Sequence, residues 1–157
     1  MLEKKMFGEY PIPQSCVFYE TERTFAFPTH KPIVPGHVLV SPRRVVERLG
    51  DLSDDEVSDL FVAVKRVAKC VESVYGGTSI TVGVQDGKEA GQKVFHVHVH
   101  VLPRWSGDFE PNEKIYSELA SEKFRLDTEA HPVKTAEEMA EETVPLRNYF
   151  SGESKDQ

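Results

Sequence analysis

Residues 94–102 read VFHVHVHVL, so three histidines alternate with valines along this stretch. The period of two predicts a half-buried β-strand, because successive side chains of a strand point to opposite faces. His96, His98 and His100 would then share one face, and the valines would pack on a core. A helix is disfavoured, since β-branched valines lose rotamer freedom in it. We therefore take this row of imidazoles as the candidate active site.

The composition is that of a soluble globular protein. Its 157 residues suit a single domain, and 39% are hydrophobic and 29% charged. There is no apolar run of membrane-spanning length and no signal peptide at the start, so we expect a cytoplasmic or nuclear location and no membrane partner. The net charge of −7 argues against broad nucleic-acid binding, but it permits a small anionic ligand. Cys16 and Cys70 lack metal-site spacing and are expected to be reduced.

Other patterns predict strands and helices around the histidine strand. The main helix is expected over residues 53–75, with Ser53 and Glu56 forming a capping box and glycines 76 and 77 ending it. Residues 1–15 are expected to form an irregular arm, because prolines flank Ile12. The remaining predicted strands cover residues 16–20, 23–29, 37–40 and 78–85.

The C-terminal third has weaker patterns. Asn112 is the expected cap of a short helix, and residues 105–134 are predicted to be a mobile segment. A capping box that starts at Thr135 opens a helix over about 135–150, which should kink or stop near Pro145. Residues 151–157 are expected to be a frayed tail. Together these patterns describe one domain over 1–157, with its core at about 7–110.

A row of three histidines permits three interpretations. For metal binding, His96 and His100 would lie roughly 13 Å apart along a strand, so further ligands such as His37 or His30 would be needed. For nucleophilic catalysis, one neutral imidazole attacks while its neighbours, joined by His37, form a small cationic cup for a phosphate. A polar face without chemistry is the third, but alternation alone gives no reason for three histidines.

The histidine stretch resembles the signature of the histidine-triad family of nucleotide hydrolases and transferases. Four further segments are similar to the fragile-histidine-triad branch, the dinucleoside triphosphate hydrolases, and the similarity covers roughly residues 7–150. These segments are PGHVLV at 35–40, QDGKEAGQ at 85–92, LPRWSGDF at 102–109, and EEM with LRNYF at 137–139 and 146–150.

The resemblance implies a fold and an activity. The fold would be α+β, with a five-stranded antiparallel sheet, a long helix and one or two further helices, and two copies would pair into a continuous ten-stranded sheet. The activity would be cleavage of diadenosine triphosphate to AMP and ADP, with a divalent cation (magnesium or manganese) accompanying the substrate phosphates and no protein-bound metal. Alternatives are a phosphoramidase, a nucleotidyl transferase, a diadenosine tetraphosphate hydrolase or a nucleotide-binding signalling protein.

The resemblance also implies roles for individual residues. His98 would be the nucleophile that forms a covalent nucleotidyl-histidine, His96 and His37 would orient it, and His100 would donate to the phosphate. Thr29 stands where the branch has an asparagine that binds the ribose, and its hydroxyl has a shorter reach. The remaining substrate-binding residues would be Gln85 and Gln92 at the phosphates and Phe7, Phe27 and Leu39 around the purine.

Overall fold

A five-stranded antiparallel sheet forms the centre of the structure, a computed structural model that describes residues 5–121 and 134–153. Its strands are β3 (Tyr19–Glu20), β4 (Thr24–Pro28), β5 (Val38–Pro42), β6 (Ser79–Val84) and β7 (Val99–Arg104). They lie in the order β3-β4-β5-β7-β6, and every neighbouring pair is antiparallel. The expected α+β class and strand number are thus confirmed.

The N-terminal arm is more regular than expected. β1 (Lys5–Phe7) and β2 (Tyr10–Ile12) form a small antiparallel hairpin, so the prediction of an irregular arm is wrong. Gly8 makes the turn with a φ of +59°, which glycine adopts without steric cost. Proline is tolerated here because a two-stranded ribbon consists of edge strands, where a missing N–H need not break a ladder.

Helix α1 (Asp54–Tyr75) matches the predicted main helix. The Glu56 N–H donates to Ser53 Oγ at 3.1 Å, and the Ser53 N–H donates to Glu56 Oε1 at 2.9 Å, which completes the capping box. Gly76 ends the helix in the left-handed conformation. The buried side of α1 packs on valines of the sheet, and this cluster is the main hydrophobic core; it includes Leu60, Val64, Val67, Val71, Val97, Val99 and Val101.

The histidine stretch is only partly a strand. β7 begins at Val99, so His100 lies in it, whereas His96 lies in a bend and His98 in the irregular stretch between that bend and β7. The bend arises because the His96 N–H donates to the Val94 carbonyl at 2.9 Å, and the Val97 N–H donates to the Val46 carbonyl at 2.8 Å, outside the sheet. The expectation of one continuous strand over all three histidines is therefore wrong, although the intervening valines are buried as predicted.

Two other boundaries differ from the sequence patterns. The predicted strand over 16–20 starts late, because Cys16 is the last residue of a 3-10 helix over Gln14–Cys16, in which the Cys16 N–H donates to the Pro13 carbonyl at 2.9 Å. Only Tyr19–Glu20 of that range is a strand. His37 directly precedes β5 and does not belong to it, because its N–H closes a turn onto the Val34 carbonyl at 3.2 Å.

Two more helices follow the sheet. α2 (Lys114–Leu119) has Glu113 and not Asn112 at its N-cap position, and it makes no side-chain cap. α3 (Ala136–Glu153) starts as predicted, with the Glu138 N–H donating to Thr135 Oγ1 at 3.1 Å.

Helix α3 continues through Pro145 to Glu153, so the expectation that it could stop near Pro145 is wrong, and residues 151–153 of the expected frayed tail are helical. Pro145 and Glu141, whose carbonyl loses its helical donor, are both exposed, and water can supply the missing bond. The predicted mobile segment over 105–134 includes residues 122–133, which lie outside the described residues. The predicted frayed tail over 151–157 likewise includes residues 154–157, which lie outside them.

Gly36 and Gly107 provide a matched test of the packing beside His37. Both have φ near +80° (+83° and +80°), but a Cβ at Gly36 would lie 2.7 Å from the Tyr75 ring and 2.8 Å from Pro103, whereas Gly107 is open. We expect Gly107→Ala to lower the free energy of unfolding by about 1 kcal/mol. Gly36→Ala should cost a further 1–3 kcal/mol or so, because the new methyl group overpacks the site. Urea denaturation measures both, and equal losses would contradict this account.

Candidate active site

A pocket lies on the sheet face opposite α1. Side chains alternate along a strand, and the valines of β5 and β7 face α1. Leu39 and His100, which are paired in register, therefore lie on the other face. The end of β4, the turn before β5 and the bend before β7 complete the walls. The pocket is lined by Phe7, Thr29, His30, Lys31, Ile33, His37, Leu39, Gln85, Lys93, Val94, His98, His100 and Leu119.

His98 presents an unprotonated nitrogen to this pocket. Its Nδ1 lies 2.7 Å from the carbonyl oxygen of His96, and since a carbonyl can only accept, Nδ1 carries the proton. In a neutral ring the lone pair then resides on Nε2. No partner for His98 Nε2 is found among the described residues, so this nitrogen is available to a ligand.

His37 and His100 form a relay that begins at a backbone amide. The Ile33 N–H donates to His37 Nδ1 at 3.1 Å, so the proton of His37 is on Nε2. His37 Nε2 lies 3.0 Å from His100 Nδ1 and donates to it, which places the proton of His100 on its own Nε2. His100 Nε2 is buried and has no hydrogen-bond partner within residues 5–121 and 134–153. It is therefore an N–H donor available to a ligand beside His98.

His96 is fully buried and does not line the pocket. The Gly8 N–H donates to its Nδ1 at 2.9 Å, and its Nε2 donates to the Pro42 carbonyl at 2.8 Å, with Ser41 Oγ at 3.1 Å. Both ring nitrogens are thus occupied by protein groups. The ring fixes the position of the carbonyl that holds His98, and it does not itself reach a ligand.

Burial keeps these imidazoles neutral. Desolvation, with a smaller contribution from the charge of His98, lowers the pKa of His37 to about 3. Desolvation also lowers the pKa of His98 to about 4, against the opposing hydrogen bond to the His96 carbonyl. The pKa values of His96 and His100 are lowered mainly by burial as well. The expected cationic cup of histidines is therefore wrong, because near pH 7 these rings are neutral donors and acceptors.

The arrangement does not favour a metal ion on the histidines. Among the described residues there is no group of three or more histidine, cysteine or acidic side chains placed to hold one. The ring nitrogens of His96 and His37 are already engaged, which leaves one nitrogen each on His98 and His100. Two ligands are fewer than the three or four that zinc sites use.

The residues predicted to bind the purine and ribose lie close to the histidines, and the ring centroids of Phe7 and His98 are 4.9 Å apart. Phe7 and Leu39 line it, whereas Phe27 packs behind Phe7, with ring centroids 5.2 Å apart, and does not line it. Thr29 lines the pocket, and its Oγ1 accepts from the Lys31 N–H at 3.5 Å. Phe27 therefore supports the apolar wall and is not a direct contact in this structure.

The two glutamines of the loop over 85–92 are placed differently. Gln85 lines the pocket, and its Nε2 donates to the Leu119 carbonyl at 3.3 Å. Gln92 is buried outside the lining, where its Oε1 accepts from the Gly87 N–H at 2.8 Å and its Nε2 donates to the Glu47 carbonyl at 2.8 Å. Gln92 therefore braces the loop in this structure, and its expected contact with the substrate stays a prediction.

Several lining residues were missed by the sequence patterns. Lys31 and Lys93 lie just outside the motifs, and a lysine near a suspected phosphate site was a signal that could have identified them. Leu119 gives no such signal, because an apolar residue of a short helix normally indicates core. No aspartate or glutamate lines the pocket within the described ranges. The sequence patterns name His30 only as a possible metal ligand, and the residues missed altogether are Lys31, Ile33, Lys93, Val94 and Leu119.

Comparison with known proteins identifies the class. The family model described as the HIT domain matches residues 12–107, which is more than half of the chain. The chain belongs to the HIT domain family, and the resemblance inferred from its motifs is confirmed.

Three curated relatives show which members of that family this chain is similar to. The bis(5'-adenosyl)-triphosphatase of Dictyostelium discoideum is 43% identical over 92% of this chain and 91% of its own length. The asymmetrical bis(5'-nucleosyl)-tetraphosphatase of Schizosaccharomyces pombe is 38% identical over 99% of both chains. The nitrilase and fragile histidine triad fusion protein NitFhit of Caenorhabditis elegans is 50% identical over 90% of this chain, which spans only 31% of that protein.

A solved structure supports the same placement. The diadenosine triphosphate hydrolase of Plasmodium falciparum, crystallised with cyclomarin A, superposes with a TM-score of 0.76 at 27% identity. The match covers 97% of this chain and 87% of that one. No helix in the described part of the chain is long and apolar enough to cross a membrane.

The lowered pKa of His98 predicts the pH dependence of catalysis. An attacking imidazole must be unprotonated, and with a pKa of about 4 in the folded protein His98 stays so well below the ordinary histidine pKa of about 6.5. We therefore expect kcat/KM for a dinucleoside triphosphate to be flat from pH 8 to pH 5 and to fall only as the pH drops further towards 4.

The acid end of this profile needs a folding control. Because the unfolded chain takes up protons at these histidines below about pH 6.5, stability declines towards acid, and circular dichroism should accompany each rate. A fall in kcat/KM with a midpoint near 6.5 in protein that is still folded would contradict the assignment.

Proposed function

We propose that this protein hydrolyses dinucleoside polyphosphates, above all diadenosine triphosphate to AMP and ADP, through a covalent intermediate on His98. The main support for this proposal is that one pocket contains two histidine ring nitrogens with complementary roles. His98 Nε2 has a lone pair, and His100 Nε2 beside it has a proton without a protein partner among the described residues. A nucleophile next to a donor suits attack on phosphorus with stabilisation of the phosphoryl oxygens. The names of the relatives from D. discoideum and P. falciparum support this substrate class.

In the first step the lone pair of His98 Nε2 attacks the α-phosphorus. The N–P bond forms while the bond from phosphorus to the bridging oxygen breaks, and its electron pair departs with ADP. The adduct has a positively charged ring, which the His96 carbonyl stabilises at His98 Nδ1–H. His100 Nε2–H donates to a non-bridging oxygen of the phosphoryl group. The second step is the attack of water on the same phosphorus, which breaks the N–P bond and releases AMP, the neutral ring and one proton to the solvent.

The apolar side chains of the pocket suit a nucleoside. The buried side chains of Phe7 and Leu39 offer an apolar surface to a purine, and Phe27 holds Phe7 in place. Thr29 is positioned for the ribose, with a shorter reach than an asparagine. A divalent cation such as magnesium or manganese would enter with the substrate phosphates, since magnesium is commonly held by phosphates and water and not by a protein cage.

Replacement of the nucleophile tests the mechanism. His98→Asn should lower kcat for diadenosine triphosphate by about a thousandfold or more, because no other group can form the N–P bond. AMP binding should change little, since the purine and ribose contacts remain. Intact-mass measurement after rapid quenching should detect one adenylyl group on the wild type and none on the variant. Near-normal turnover by His98→Asn, or an adduct mapped to another residue, would contradict the mechanism.

A diadenosine tetraphosphate hydrolase is the second candidate. It is favoured by the S. pombe tetraphosphatase, which aligns over 99% of both chains. Both candidates use the same histidines, so they differ only in how the leaving nucleotide is held. Comparison of kcat/KM for the triphosphate, the tetraphosphate and an adenylyl-lysine separates these activities from one another and from a phosphoramidase. A chain that binds all three without turnover would instead be a nucleotide-binding signalling protein.

We also propose a homodimer with a continuous ten-stranded sheet. The cytoplasmic location stays a prediction. The support for the dimer is the edge strand β6, which pairs only with β7 among the described residues and exposes Val82. Such an edge can add a strand from a second copy. Sedimentation equilibrium at micromolar concentration should give twice the chain mass of 17.7 kDa. A monomer mass under those conditions would contradict the proposal.

A further inference from the structure

Ser41 has a buried hydroxyl at the point where the β5–β7 ladder ends. The ladder stops with Val40 paired to Val99, so one further step of the same register would place Ser41 opposite His98. That step is missing, because β7 begins at Val99. The Ser41 side chain is fully buried and does not line the pocket. Any influence of its hydroxyl on a ligand must therefore pass through other residues.

The Ser41 hydroxyl contacts two neighbouring residues that precede β7. Its Oγ–H donates to the Val97 carbonyl at 3.0 Å, and its oxygen accepts from His96 Nε2 at 3.1 Å. The second bond has this direction because the Gly8 N–H occupies His96 Nδ1 and leaves the ring proton on Nε2. The Pro42 carbonyl, 3.2 Å from the hydroxyl, already accepts from the same Nε2 at 2.8 Å. Ser41 therefore links the His96 ring to the Val97 backbone.

These contacts lie on both sides of the peptide unit that orients His98. The His96 carbonyl and the Val97 N–H belong to one trans peptide, so they point in opposite directions. The Val97 N–H donates to the Val46 carbonyl at 2.8 Å. At the opposite end the His96 carbonyl accepts from His98 Nδ1 at 2.7 Å. Ser41 holds the ring before this peptide and the carbonyl after it, so it restrains the torsions on both sides.

We propose that Ser41 is a positioning residue that keeps His98 in the tautomer required for attack. This inference rests on the proposed function, since it assigns the attacking lone pair to His98 Nε2. The tautomer depends on the direction of the His96 carbonyl, because a ring nitrogen stays protonated where its partner can only accept. Without the hydroxyl, the Val97 carbonyl loses a donor and this direction is less restrained. The other tautomer then becomes populated, and it has a proton on Nε2 where the lone pair is needed.

Three variants separate positioning from packing. Ser41→Ala removes the hydroxyl, and Ser41→Cys keeps a weaker donor of similar size. Thr143→Val is the matched control, because Thr143 is equally buried and lies in α3, outside the lining of the pocket. Its hydroxyl likewise contacts backbone carbonyls, those of Ser15 at 2.9 Å and Ala140 at 2.6 Å. The control thus deletes a buried hydroxyl of the same kind away from the histidines.

Steady-state kinetics with diadenosine triphosphate measures the catalytic effect. We expect Ser41→Ala to lower kcat about tenfold, as the loss of one neutral hydrogen bond would. KM and AMP binding should stay within about twofold of the wild type, because the lining of the pocket is unchanged. Ser41→Cys should keep more than about a third of the wild-type kcat, and Thr143→Val nearly all of it. Urea denaturation verifies that each variant is folded under the assay conditions.

NMR of the histidine ring nitrogens measures the tautomer without any substrate. Protonated and unprotonated ring nitrogens have distinct shifts, and the His98 signals are identified by their absence from the spectrum of His98→Asn. We expect His98 Nε2 to be unprotonated in the wild type and in Thr143→Val. In Ser41→Ala its shift should move towards the protonated value. A purely structural role of Ser41 would lower stability without this change.

The two measurements separate this inference from the proposed function. An unchanged His98 tautomer in Ser41→Ala, or a loss of kcat no larger than that of Thr143→Val, would overturn the positioning role while the wild type still hydrolyses the dinucleotide. Activity of Ser41→Cys as low as that of Ser41→Ala would also contradict the role of a donor at this position. A wild type that leaves diadenosine triphosphate intact would instead overturn the proposed function.

Discussion

The hydrogen bond from His98 Nδ1 to the His96 carbonyl is the interaction on which the site depends. In a regular strand that carbonyl would point towards a neighbouring strand and accept from its backbone. Here the chain bends before β7, and the backbone bond from Val97 to Val46 lies outside the sheet, so the carbonyl is available to an imidazole two residues later. The bend that interrupts the expected strand is therefore the feature that gives His98 the tautomer which the proposed mechanism requires.

Backbone groups fix the tautomers of the other rings as well. The amide of Gly8 holds His96, and the amide of Ile33 starts the relay through His37 to His100. Since amides and carbonyls do not titrate, this pattern is stable over the pH range in which free histidines change charge. Neutral rings also avoid mutual repulsion, which explains how four imidazoles can be packed together in a desolvated site.

Sequence patterns predicted the parts of the fold that follow from local chemistry. The valine periodicity identified the buried face, and the capping box at Ser53 located the start of α1. The motifs then identified the family, but they did not distinguish residues that line the pocket from residues that support it. Gln92 and Phe27 are buried behind the lining, and their placement depends on long-range contacts with Glu47 and Phe7 that no local pattern contains. The path of α3 through Pro145 likewise depends on its exposure, which is a property of the packed molecule.

The neutral histidines raise the question of how an acidic protein attracts a polyanion. The chain has a net charge of −7, and protonated histidines would supply attraction but would also remove the lone pair that attacks phosphorus. The structure separates these two requirements. The rings to which we assign the chemistry are buried and neutral, while Lys31 and Lys93 line the same pocket on flexible, positively charged stems. Attraction and nucleophilicity thus reside on different side chains, so they do not compete for the same proton.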